Sequence, residues 1–102
     1  MHVIAHPIIQ QFSNIHPDAA SSLSSWYKII KKNNFENFSQ LREIFPTADK
    51  VENCIIFNIC GNKYRLVARI HFNRKKVHIE HILTHAEYDQ EKWKKGCKKQ
   101  LE

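Results

Sequence analysis

The chain has 102 residues and a mass of 12.1 kDa, the length of one domain. Hydrophobic residues make up 42% and charged residues 25%, a globular composition that excludes a disordered chain, while the small size excludes a deep cofactor cavity. Sixteen Lys and Arg against ten Asp and Glu leave +6, of which residues 52–102 carry +5 (eleven basic, six acidic), so a polyanionic partner such as nucleic acid is expected.

Residues 1–5 form a short apolar start that reads as an edge strand. Pro7 suits the first turn of a helix, and Ile8, Ile9, Phe12 and Ile15 follow at helical spacing. His16-Pro17-Asp18 breaks that pattern and starts a second helix with Asp18 as its N-cap. Ala19, Ala20, Leu23, Trp26, Tyr27 and Ile30 give this helix an apolar stripe, and Lys28, Lys31 and Lys32 suit the dipole at its end. Phe38, Leu41, Ile44 and Phe45 make a third helix, with Asn37 and Gln40 spaced as a capping box and Pro46 as its stop.

The period then changes from about 3.6 to 2. Ile55, Phe57 and Ile59 alternate with Ile56, Asn58 and Cys60, and Gly61-Asn62 marks a turn. Tyr64, Leu66, Ala68, Ile70 and Phe72 share one face of the next strand. Lys63, Arg65, Arg69 and His71 share the other, with Val67 among them. Residues 73–76 are a basic turn. Residues 77–84 form the third strand of this run, with Val77, Ile79 and Leu83 in phase and Ile82 out of phase, the mark of a central or bulged strand. Residues 86–101 are polar and Lys-rich around Trp93 and read as a short helix or a loose tail. The fold class expected is α+β: a single domain over residues 1–102, with N-terminal helices on one face of a small antiparallel sheet and a basic opposite face.

Three cysteines, Cys54, Cys60 and Cys97, contain no C-x-x-C unit, so neither a disulfide framework nor a zinc site is expected. No apolar run reaches the roughly 18–20 residues of a membrane span. Met1-His2-Val3-Ile4 lacks the basic start of a signal peptide. Reduced thiols in a cytoplasmic protein are the expectation.

Two clusters carry chemistry. Lys63, Arg65 and Arg69 project from alternate positions of one strand. Arg65 and Arg69 stand about 13 Å apart at about 3.3 Å per residue, within reach of phosphates on an extended strand. Thr84-His85-Ala86-Glu87-Tyr88-Asp89 brings an imidazole, a phenol and two carboxylates to the rim of the same sheet. RNA can be cut without a metal when its own 2′-OH attacks the adjacent phosphate, given a base, cations for the phosphorane and an acid for the leaving oxygen. Arg65, His85 and Tyr88 suit those tasks. His78, His81 and His85 are close in sequence, but on a strand His78 and His81 point to opposite sides, so no metal or other cofactor is expected.

Two segments, Phe57-Asn58-Ile59-Cys60-Gly61-Asn62-Lys63-Tyr64-Arg65-Leu66 and Leu83-Thr84-His85-Ala86-Glu87-Tyr88-Asp89, resemble the signatures of HigB-type toxins of type II toxin–antitoxin systems. The resemblance extends through His16-Pro17-Asp18-Ala19, Trp26-Tyr27-Lys28, Phe45-Pro46-Thr47-Ala48-Asp49 and Trp93-Lys94. It implies a RelE-like fold and an endoribonuclease that cuts mRNA on the translating ribosome. It also implies a HigA-type helix-turn-helix antitoxin as partner, with DNA contacted only through that antitoxin. It assigns Arg65 to the phosphate, His85 and Tyr88 to proton transfer and base stacking, and Asn62, Lys63 and Arg69 to holding RNA. Glu80 departs from the basic residue expected there. Either it faces away from the RNA or this chain is an attenuated or non-catalytic RNA-binding module.

Overall fold

The computed structural model describes residues 1–4 and 7–98. Helix α1 (Pro7–Ile15) starts on its proline and buries Ile9 and Phe12, and a 3₁₀ turn (Pro17–Ala19) leads into α2 (Ala20–Lys32), which buries Leu23, Trp26 and Ile30. The Met1 ammonium donates to the carbonyls of Ile30 at 2.9 Å and Asn33 at 2.6 Å, placing a cation at the negative end of α2. Asp18 does not cap α2, contrary to the expectation from sequence. Its carboxylate instead accepts from the Tyr64 hydroxyl at 2.7 Å and pairs with Lys63. A buried phenol and an ammonium are stronger partners than a helix amide that water can satisfy. Before α3 (Phe38–Ile44), Asn37 caps by accepting from the Gln40 amide at 2.9 Å. The Gln40 side chain, however, accepts from the amide of Glu36, one residue earlier than a capping box requires.

Among the described residues, five strands follow the order β1-β5-β4-β3-β2: β1 (His2–Ile4), β2 (Asp49–Val51), β3 (Cys54–Ile59), β4 (Tyr64–His71) and β5 (Lys76–Thr84). All neighbours run antiparallel except β1, which pairs with β5 in parallel. The β3–β4 turn uses two left-handed residues, Cys60 (φ 54°) and Gly61 (φ 66°). Ile55, Phe57, Ile59, Leu66, Ala68, Val77 and Ile79 face α1, α2 and α3 and form the main core with Leu23, Trp26, Ile30 and Leu41.

Strand β5 is both central and bulged, as its out-of-phase Ile82 indicated, and the bulge moves Leu83 off the face it shared with Val77 and Ile79 in the sequence reading. Val67 pairs with His81 and Ala68 with Ile79, leaving Glu80 as the extra residue. The inserted residue flips every later side chain. Ile82 therefore joins the helix side opposite Leu66, while Leu83 stands opposite Arg65 on the other face, out of phase with Val77 and Ile79. For the same reason His78 and His81, opposite Arg69 and Val67, share a face instead of pointing apart. Among the described residues, no three His, Cys, Asp or Glu side chains gather as a metal site.

The second face is not uniformly basic. Helices α4 (His85–Asp89) and α5 (Lys94–Lys98) lead the chain back across it, and Cys54, Ile56, Val67, Trp93 and Cys97 form a second buried cluster. Cys54 and Cys97 are joined by a disulfide, which corrects the expectation of unpaired thiols; Cys60 is free. Spacing could not show the pair, because it depends on α5 folding over β3, where Cys97 O also accepts from the Asn53 amide at 3.0 Å. Of the two readings of residues 86–101, the short helix holds and the loose tail does not: the segment is helical in α4 and α5 and is anchored by the buried Trp93 and Cys97, while residues 99–101 lie outside the described residues. No described helix is long and apolar enough to cross a membrane.

Candidate functional site

The alternation of β4 sends Arg65 to the second face, opposite Leu83 of β5, and β5 ends one residue later at Thr84. Thr84 caps α4: its hydroxyl accepts from the Glu87 amide, and Glu87 reaches back to the Thr84 amide at 3.0 Å. This reciprocal cap turns the chain so that Tyr88 comes under the Arg65 guanidinium, 5.3 Å from its ring centre. Arg65 Nη1 donates to Asn62 O at 2.9 Å and Tyr64 O at 3.2 Å. The guanidinium is thus held by two backbone oxygens and a ring. It carries five donors, so those beyond Nη1 can meet a phosphate.

His85 is the first residue of α4 and more than half exposed, with Nδ1 3.0 Å from Asp89 Oδ2. Such a carboxylate fixes the orientation of the imidazole by the contact at Nδ1. Asn62 lies in the exposed β3–β4 turn, where its carbonyl serves Arg65 and its side chain accepts from Asn58 at 3.4 Å.

Lys63 and Arg69 are placed differently. The hydrogen bonds from Lys63 and then Tyr64 hold the Asp18 carboxyl below its ordinary pKa, and the Asp18 bond raises that of Lys63. The same carboxylate, with burial adding to it, raises the Tyr64 phenol, whose oxygen also lies 3.4 Å from His16 Nδ1. Lys63 is therefore engaged at the hairpin edge by a residue of the helical layer. Arg69 is only 6% exposed, and its Nε sits 3.0 Å from Glu80 Oε1, an ion pair without the alignment of a hydrogen bond. Arg65 and Tyr88 are brought together, with His85 on the same short helix as Tyr88. Arg69 is set apart with the residue that departs from the expected pattern.

One neighbour was not assigned to the site from sequence, although the Trp93-Lys94 pair is part of the family likeness. Trp93 stacks on Tyr88 with ring centres 5.0 Å apart and planes 11° from parallel, and its Nε1 donates to Tyr88 O at 2.9 Å. With His81, Leu83, Glu87, Gln90 and Lys92 it lines a groove of about 350 Å³ between β5 and α4. The available signal was a single large aromatic within a Lys-rich stretch.

A family profile described as HigB_toxin, the RelE-like toxic component of a toxin–antitoxin system, matches residues 19–91. The chain belongs to the HigB toxin family. It is 32% identical over 92 residues to the mRNA interferase HigB of Escherichia coli O6:H1 (strain CFT073), covering 87% of this chain and 89% of that protein. It is 29% identical to the mRNA interferase toxin HigB of Escherichia coli K12, covering 87% and 88%. The mostly antiparallel sheet with helices on it is the α+β architecture of this RelE-like group. Trp93 and Cys97 lie beyond the matched residues.

Proposed function

We propose that this chain is an endoribonuclease that cuts mRNA, acting as the toxin of a pair whose antitoxin is of the HigA helix-turn-helix type. The RNA 2′-oxygen bonds to phosphorus as its proton leaves to a base, and the P–O5′ bond breaks as the 5′-oxygen takes a proton. The products are a 2′,3′-cyclic phosphate and a free 5′-hydroxyl. Arg65 balances the charge gathering on the phosphorane, where a fixed donor is most effective. His85, oriented by Asp89, and the Tyr88 phenol exchange the two protons, and the Tyr88 ring also offers a surface for a base. Asn62 and Lys63 line the approach of the backbone. The burial of Arg69 against Glu80 supports a structural part for that pair, and Glu80 then repels no phosphate. The substrate places the protein in the cytoplasm, with the translating ribosome presenting the mRNA.

The observation that carries this reading is the Arg65 guanidinium fixed over the Tyr88 ring at the mouth of the sheet. Expression of Arg65→Ala should leave a folded protein that no longer arrests growth, and new 5′ ends in cellular RNA should vanish with the arrest. A variant that stays fully toxic would refute the site. A second reading, an RNA- or ribosome-binding module without chemistry, is favoured by one observation: Glu80 neutralises a cation of the basic strand. It predicts salt-sensitive RNA binding and no new 5′ ends from the unsubstituted chain.

A further inference from the structure

Helix α4 has five residues and none of its side chains is buried, so it cannot by itself fix the direction in which Tyr88 points. What fixes it comes from further along the chain. Trp93 is 4% exposed and rests in the second cluster on Ile56, Val67 and the Cys54–Cys97 disulfide. From that floor it makes two contacts with a single residue: its ring lies parallel to the Tyr88 ring, and its Nε1–H donates to the Tyr88 carbonyl. A stacked ring and a directional hydrogen bond together define both the position and the tilt of Tyr88. Tyr88 in turn carries the Arg65 guanidinium.

We infer that Trp93 is a positioning residue of the site, acting through Tyr88 to hold the Arg65 guanidinium where it meets the phosphate. This rests on the reading of Arg65 and Tyr88 as site residues. Trp93 itself touches no RNA; its part is to keep the cation and the phenol in one arrangement before substrate arrives. Small misplacements of such groups cost about tenfold to a hundredfold in rate.

The test is a double-mutant cycle on the full chain: wild type, Trp93→Leu, Tyr88→Leu and the double variant. Single-turnover cleavage of an mRNA in a translating extract is read by primer extension, and thermal melting checks folding. Trp93→Leu should slow cleavage about tenfold or more when Tyr88 is present, and less than about twofold further when Tyr88 is already Leu. Affinity for a short single-stranded RNA oligonucleotide should change less than about threefold. Equal losses in both backgrounds, or a wild-type rate for Trp93→Leu, overturn the inference. If Tyr88→Leu and Arg65→Ala both cleave at the wild-type rate, the functional reading fails first and this one with it. Where Trp93→Leu does not fold, the cycle is run with Trp93→Phe, which keeps a stacked ring. Its lost N–H···O bond should then cost about threefold beside Tyr88 and nothing without it. Equal losses again overturn the inference.

Discussion

Breaking the Cys54–Cys97 bond is the most informative perturbation of this fold. The bond joins residues 43 apart in sequence, and both half-cystines are almost completely buried. Closing a loop of that length removes enough freedom from the unfolded chain to stabilise the native state by about 4 kcal/mol on the chain-entropy account. For a domain of this size that corresponds to a melting shift of about 15–30 °C. A small domain has little core to spare, so the change should be plain. Thermal melts of the same polypeptide, oxidised and after treatment with a dithiol reductant, measure it without altering the sequence. The Cys54→Ala/Cys97→Ala double variant should match the reduced protein. Both forms should also cleave RNA more slowly, because the bond anchors the floor beneath Trp93. A melting difference under about 3 °C, or alkylation of three thiols in the oxidised protein, would refute the reasoning.

Two further outcomes follow from pairs that the fold made. Glu80→Ala should cost about 2 kcal/mol in urea unfolding, less than a fully sealed pair because the carboxylate is partly exposed, since it leaves the buried Arg69 guanidinium without its counter-charge; an unchanged midpoint would show that the pair is not structural. Asp18→Asn should destabilise at neutral pH by removing the negative charge that pairs with Lys63 and one of the two carboxylate oxygens that serve Lys63 and Tyr64. The folded carboxyl titrates below its ordinary 3.8, so this advantage is full above that value and disappears as pH falls through the lower folded one. A stability gap that persists in strong acid would assign the effect to something other than the carboxylate's charge.

Local periodicity carried much of this protein. The stripe of Leu23, Trp26 and Ile30 specifies a helix with one buried side, and the alternation of Tyr64, Leu66 and Ala68 with Arg65 and Val67 specifies a strand with two unlike faces. Motif likeness placed the chain in its family. Those signals reside within a few residues of one another, so neighbours in the chain suffice to write them. The tertiary structure decided the rest. Asp18 has the chemistry of a helix cap and became a tether to Tyr64 and Lys63. Glu80 became a bulge that exchanged the faces of Ile82 and Leu83, and Arg69 was sealed beside it. Trp93 and Cys97 read as tail and became the floor beneath Tyr88. In each case the outcome was a competition among partners on different elements, from 11 residues apart for Arg69 and Glu80 to 46 for Asp18 and Tyr64. A single side chain's type shows which bonds it can make, and only the packed chain determines which partner is within reach.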